Sequence, residues 1–257
     1  MSAVRKSKKA VSVILIICIV LCSAVFAFSA VKIIKKLCQY SGSDDFYEKT
    51  ASEYIKVESA DSESESPGVS VPFSVDWNKL RNMNPDIIGW IYQEGTPLNY
   101  PVVHCDSNEK YNHRLIDGSY NDGGTLFADC RHVADFSKFN FVIYGHHMLN
   151  GSMFGNIANY KSQSYYDSHP VLWYATPDAV YRVELLAGVI IRVDDDLFLQ
   201  YDTAEEFDHI LQKAYANSTF KSKAGKTDIK NVLMLATCSY EYEGARYVLF
   251  GNPVKVG

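Results

Sequence analysis

The chain has 257 residues, 47% of them hydrophobic and 21% charged, with 15 Gly and 8 Pro. That excludes a disordered chain, a collagen-like repeat and a disulfide-dense miniprotein, and allows one domain of roughly 150–200 residues with extensions. The net charge of −5 hides an asymmetry: residues 1–36 hold seven Lys/Arg and no acid, leaving 18 basic and 30 acidic residues, a net of −12, for positions 37–257, a body without the clustered Lys and Arg that nucleic acid requires.

A basic tail, residues 1–9, carries Arg5, Lys6, Lys8 and Lys9. Residues 10–31 then run 22 positions without a charge. As a helix this stretch spans about 33 Å at ~1.5 Å per residue, matching a hydrocarbon core of ~30 Å. Four basic residues precede it and three follow, which favours a cytoplasmic N-terminus and an exported body. A cleaved secretory signal, with Ala27 and Ser29 at a cleavage site, is the rival reading, but typical signal cores are only ~7–15 residues long. The expectation is a single-pass signal anchor in the cell membrane. Cys18, Cys22 and Cys38 lie in or beside the apolar run, leaving Cys105, Cys130 and Cys238 in the body. Three exported cysteines cannot all pair internally, so at least one thiol is free or pairs with another chain.

Residues 32–72 read as a juxtamembrane segment and an acidic, Ser-rich linker. The stretch 57–72 alternates Ser with acid and ends in Pro and Gly, without apolar periodicity. Before it, 44–58 has the pattern of one short helix, with Phe46, Tyr47, Tyr54 and Ile55 partly sharing a face.

From Phe73 to the end the pattern is that of one globular domain. Asp76 is placed to cap a short helix that Pro85 stops. Extended runs follow at 98–104, 125–129, 141–146, 171–176, 179–193, 232–238 and 246–254, rich in Val, Ile, Tyr and Phe and bounded by turn residues. Residues 152–160 suggest another short helix. In 203–218, Phe207, Ile210, Leu211, Ala214 and Tyr215 recur at helical spacing, and Thr203 with Glu206 forms a capping box. Seven or eight strands with few helices predict a mainly β fold, a mixed β-barrel with N-terminal helices and one helix inserted before the penultimate strand.

Cys238 closes the apolar run VLMLATC just before the polar loop SYEYEG. A thiol at a strand end beside a loop mouth suits nucleophilic catalysis. Another apolar strand ends in YGHHM (144–148), which supplies histidines as base. Arg246 opens the next strand, so pairing of 232–238 with 246–251 brings a guanidinium near the thiol, where it stabilises a developing oxyanion. Each residue alone has a plainer reading: a strand-end Cys is more often packing, a strand-opening Arg a solvated charge, and a His pair a surface feature. Cys130, His132, His146 and His147 are formal metal ligands, but no ligand-type spacing such as CxxC or HExxH joins them. Asp194, Asp195 and Asp196 read as a solvated loop rather than a calcium site.

Together, the N-terminal anchor, PDIIGWIYQEGTPLNYPVV (85–103), FVIYGHHMLNGSMFGNI (141–157), LATC (235–238) and Arg246 resemble the class B sortases, cysteine transpeptidases of Gram-positive surfaces. The resemblance covers 73–257, and its His…Cys…Arg order differs from the Cys-before-His order of papain-like proteases. Residues 234–238 stand at the family's TLxTC motif, with Met234 in place of its first Thr. The resemblance implies catalytic roles for His146, Cys238 and Arg246, and no cofactor. It implies that the enzyme cleaves an NPxTx-like sorting motif of secreted proteins after Thr and joins the product to a peptidoglycan amine. The helix at 203–218 is then a wall of the substrate groove, and Leu98, Asn99, Tyr144, Ala236 and Thr237 are candidate groove residues. A catalytically silent tethered scaffold and a hydrolytic cysteine protease are the competing functions.

Overall fold

The computed structural model describes residues 2–57, 71–198, 200–225 and 227–256. It divides into two compact units, residues 1–42 and 43–257. The described residues of the first, from Ser2 on, are helical as part of α1 (Ser2–Tyr54). The most apolar 18-residue window in that helix has a mean hydropathy of 2.5 and none of it is buried. Its large apolar side chains, from Leu15 to Leu37, stand exposed. Such a surface is unfavourable in water, and its length and composition suit a membrane span.

The second unit begins with the last turns of α1. Tyr47 and Thr50 point inward and are buried, so the short helix expected over 44–58 is the end of a longer one. It stops at Tyr54, and Ile55 opens β1 (Ile55–Val57), which pairs antiparallel with β2 (Phe73–Val75). The acidic spacer lies almost wholly outside the described residues, since its positions 58–70 are not among them. Asp76 caps α2 (Trp77–Met83) by accepting from the Lys79 N–H at 3.1 Å.

Eight strands then close a barrel. In chain order they are β3 (Ile87–Tyr92), β4 (Asn99–Val103), β5 (Leu126–Ala128), β6 (Asn140–Tyr144), β7 (Val171–Thr176), β8 (Ala179–Arg192), β9 (Val232–Cys238) and β10 (Ala245–Lys255). Around the barrel the order is β10-β8-β7-β3-β4-β5-β6-β9, with β9 returning to β10. The pairs β4–β5 and β6–β9 are parallel and the others antiparallel. This is the mixed, mainly β barrel anticipated above. Closure leaves no open edge, and the interior is filled by side chains such as Ile91, Phe141, Tyr174, Leu235 and Leu249, all essentially inaccessible.

The seven runs read as strands are strands here, with ends shifted by a residue or two. β3 is the eighth, in a segment read only for the helix before Pro85. Its alternation is broken where Gly89 sits at a register shift against β4. A Cβ at Gly89 would stand 2.3 Å from the Tyr174 hydroxyl, so the glycine is required by a close approach of that ring. Residues 152–160 also differ from expectation. Met153 takes a left-handed φ of 53°, and helical geometry starts only with a 3₁₀ turn (Asn156–Lys161), followed by α3 (Gln163–Ser168).

The helix before the penultimate strand, α4 (Ala204–Ala216), has the capping box read from Thr203 and Glu206. It buries Phe207, Ile210, Leu211 and Ala214 in a cluster with Val232, Met234, Ala236 and Val248, worth about 1.5–3 kcal/mol per large side chain. Met234 is fully buried there, which explains why an apolar residue stands at that strand position.

Candidate functional site

Two parallel neighbours in the barrel, β6 and β9, end side by side. Their register runs from Asn140 opposite Val232 to Tyr144 opposite Ala236. Parallel strands place equivalent ends on the same rim, so the histidines after Tyr144 and the thiol at the end of β9 emerge together. On the other side of β9, antiparallel pairing sets Arg246 directly opposite Cys238, as the strand-pairing argument required. The three side chains come from three consecutive barrel strands.

Cys238, His146 and Arg246 line one cleft of about 590 Å³, together with Tyr144, Ala236 and Thr237. All three are partly exposed, as groups that must meet a substrate need to be. Thr237 is 2% exposed and its hydroxyl donates to the Gly145 carbonyl at 2.8 Å. Leu98 and Asn99 do not line this cleft. Leu98 is fully buried. Asn99 accepts from the Trp90 indole N–H at 2.7 Å and faces a separate, smaller cleft beside Tyr47 and Tyr100.

The two adjacent histidines are held differently. His146 Nε2 is 2.7 Å from the Asn112 carbonyl. A carbonyl only accepts, so Nε2 carries the proton and Nδ1 is the nitrogen left for exchange. The ring also stacks against His113, centroids 5.5 Å apart. Burial lowers the His146 pKa below its ordinary value, against a smaller opposing effect of the Asn112 carbonyl. The ring is therefore mainly neutral at pH 7, the state in which Nδ1 accepts a proton. His147 directs Nδ1 instead to the Cys238 carbonyl, at 2.8 Å, and does not line the cleft.

The cleft floor contains a network that the sequence reading missed. Asp129, just past β5, is inaccessible to solvent. Its carboxylate accepts from Arg131 Nε at 2.9 Å and Nη2 at 2.6 Å, from the Tyr144 hydroxyl at 2.9 Å and from Asn108 at 3.2 Å. Burial pushes this carboxyl upward, but the Arg131, Asn108 and Tyr144 donors outweigh it and hold it well below the usual carboxylate range. Arg131, Asn108 and Tyr144 all line the cleft. A carboxylate ending an apolar strand (TLFAD) was the available signal.

Among the described residues no three His, Cys, Asp or Glu side chains gather in a way that would hold a metal ion. Cys105, Cys130 and Cys238 are all free thiols. The acidic loop is ion-paired: Asp194 with Arg192 at 3.0 Å and Asp195 with Lys213 at 2.9 Å.

No protein-family model matches the chain. Individual relatives do. Over 179 residues it is 30% identical to sortase B of Listeria monocytogenes, covering 68% of this chain and 72% of that protein. Over 183 residues it is 25% identical to sortase B of Staphylococcus aureus, covering 70% and 75%. The structure of an S. aureus sortase B–substrate complex superposes with a TM-score of 0.65 at 25% identity, covering 70% of this chain and 85% of that one. The matched relatives share the barrel as well as the sequence, and the chain belongs to the sortase B family of cysteine transpeptidases.

Proposed function

We propose that this chain is a membrane-anchored transpeptidase in which Cys238 is the nucleophile, His146 the acid–base group and Arg246 the oxyanion and substrate donor. The observation that carries the reading is the direct opposition of Cys238 and Arg246 across β9 and β10, with His146 lining the same cleft. The substrate is a secreted protein with a C-terminal, NPxTx-like sorting motif. The Cys238 thiol gives its proton to His146 Nδ1, the thiolate so formed attacks the carbonyl of the motif's Thr, and the Arg246 guanidinium donates to the resulting oxyanion. The C–N bond then breaks as protonated His146 Nδ1 gives its proton to the leaving amine. That leaves a thioester on Cys238. A peptidoglycan amine attacks this thioester, the C–S bond breaks, and His146 takes the proton the amine loses. The thiolate is restored, so no cofactor enters the cycle.

An S. aureus relative has been solved as a substrate complex, which supports peptide binding in the corresponding groove. The apolar, unburied helix of the first unit supports a single-pass anchor. The basic residues before it support a cytoplasmic N-terminus with the catalytic domain outside. Residues 1–9 and 10–31 then serve as tail and span and 73–257 as the catalytic domain, with the end of α1 from Ser43 part of the same compact unit as that domain.

The test incubates the full chain in detergent with a panel of sorting peptides, with and without a peptidoglycan-derived amine, and reads products by mass spectrometry. Cleavage after Thr, an adduct on Cys238 and an amine-dependent ligated product are expected, and Cys238→Ala abolishes all three. A hydrolytic protease would give the free acid whatever amine is added. A silent scaffold would give no adduct at all, and an adduct on another cysteine would overturn the assignment.

A further inference from the structure

The second histidine of YGHHM has no part in that cycle, yet it makes the more specific contact with the nucleophile's own residue. We propose that His147 is a positioning residue, whose Nδ1–H holds the Cys238 carbonyl and so locks the strand end carrying the thiol to the loop carrying His146. This rests on the reading of Cys238 and His146 given above.

The geometry shows why such a lock is needed. The β6–β9 ladder ends at Tyr144 opposite Ala236, and its last backbone bond runs from the Gly145 N–H to the Ala236 carbonyl at 3.2 Å. Both reactive residues lie beyond that point. Cys238 is still paired with Arg246 on the β10 side, but a seam between strands opens at little cost past its last ladder bond, whereas the reaction requires the thiol and imidazole at one fixed separation. Two side chains continue the ladder in place of the backbone. The Thr237 hydroxyl donates to the Gly145 carbonyl at 2.8 Å, and the His147 Nδ1–H donates to the Cys238 carbonyl at 2.8 Å.

The loop on the histidine side is itself anchored, so the bond joins two fixed bodies. The Phe154 N–H donates to the His146 carbonyl at 3.0 Å. His147 forms a bridge with Met153, whose N–H donates to the Tyr100 hydroxyl at 3.1 Å. On the cysteine side, the His147 ring packs against Tyr240, centroids 5.0 Å apart. Lys161 holds the same loop through the Ser239 hydroxyl at 3.0 Å and through Glu241.

The bond also divides labour between neighbours of identical type. Each histidine has one ring nitrogen committed to a carbonyl, but they commit opposite ones: Nε2 in His146, Nδ1 in His147. His146 keeps Nδ1 for proton exchange, while His147 spends that atom on position.

Two substitutions separate the donor from the ring. His147→Phe keeps a ring to pack on Tyr240 and removes the donor. His147→Asn keeps an N–H donor near the Nδ1 position and removes the ring. Peptide turnover by the full chain in detergent, with saturating amine, gives kcat and KM, and thermal unfolding gives Tm. We expect H147F to lower kcat about tenfold, the scale of one lost hydrogen bond in the transition state. Its KM should stay within about twofold, since no substrate contact is removed, and H147N should return kcat to within about threefold of the parent. A kcat in H147F equal to the parent's would overturn the proposal, and so would an H147N variant as slow as H147F. If H147F also lowers Tm, the comparison with H147N still decides, because a role in ring packing predicts no rescue by Asn. Cys238→Ala and His146→Ala run alongside. Turnover surviving either one refutes the reading beneath the proposal, whereas loss in both with a normal H147F refutes the lock alone.

Discussion

A single buried carboxylate organises the cleft floor. Asp129 has no solvent exposure, and its carboxylate is saturated by five donors: the two of the Arg131 fork, Asn108, Tyr144 and the Arg131 backbone N–H at 3.0 Å. Replacing it with Asn leaves donors facing donors, a loss of about 1–3 kcal/mol for buried groups left unpaired, with the half-exposed Arg131 side contributing at the low end. The folded-state pKa of Asp129 is depressed, so its contribution is present above the unfolded value of about 3.9 and disappears as pH falls through the lower folded value. Asp129→Asn is therefore expected to lower the urea midpoint at pH 7, with the gap to the parent narrowing toward pH 3. An equal gap at both pH values would show that the carboxylate's charge is not what the network needs.

Elements differ in how plainly their sequences declare them. α4 announces itself, because Thr203, Glu206 and the apolar spacing from Phe207 to Ala214 all concern residues within about three turns of one another. Its cap makes a clean prediction: Thr203→Ala removes the hydroxyl that accepts from the Glu206 N–H at 3.2 Å and should cost about 1 kcal/mol. Urea unfolding would register this, while peptide turnover at 25 °C should hold, since no residue of α4 or its cap lines the cleft. An unchanged midpoint would mean the box contributes nothing. β3 was illegible for the opposite reason. Its Gly89 answers to Tyr174, a residue 85 positions away that no local pattern reveals. The same distinction runs through the site. The Cys238–Arg246 pair was legible because a short loop joins β9 to β10 and antiparallel register follows. The YGH resemblance already pointed to His146, but the nitrogen its ring commits depends on the Asn112 carbonyl, 34 residues upstream, and the Asp129–Arg131–Tyr144 network depended on where β5 meets β6. Leu98 and Asn99 were drawn toward the groove by their place on an early strand, but Leu98 is fully buried and Asn99 lines a separate cleft.

At the scale of the whole molecule, the end of α1 belongs to the catalytic unit rather than to the tether that the composition of 32–72 suggests. Tyr47 is 2% exposed. Its hydroxyl donates to the Gly124 carbonyl at 2.8 Å, lies 2.8 Å from Thr125 Oγ1, and its ring meets Tyr100 edge-on. Gly124 has a φ of +58°, and a Cβ there would stand 2.5 Å from the Asn112 carbonyl oxygen, the atom that accepts from His146. The Thr125 N–H in turn donates to the Tyr111 carbonyl at 3.1 Å. Tyr47 is thus linked to the imidazole through two residues, Gly124 and Asn112, and β1 adds an antiparallel partner for Phe73–Val75. A chain starting at Ser43 should be soluble without detergent, because the exposed apolar helix is gone, and should keep the turnover of the full chain. A chain starting at Phe73 lacks Tyr47, Tyr54 and Ile55. It should unfold at least about 5 °C lower, on the scale where 1 kcal/mol moves Tm by roughly 2–4 °C, and it should also lose kcat as the 111–125 segment loosens around His146. Thermal melts and peptide assays of the two truncations decide it: matching Tm and kcat would place residues 43–57 with the tether, and a drop in both would make them part of the enzyme.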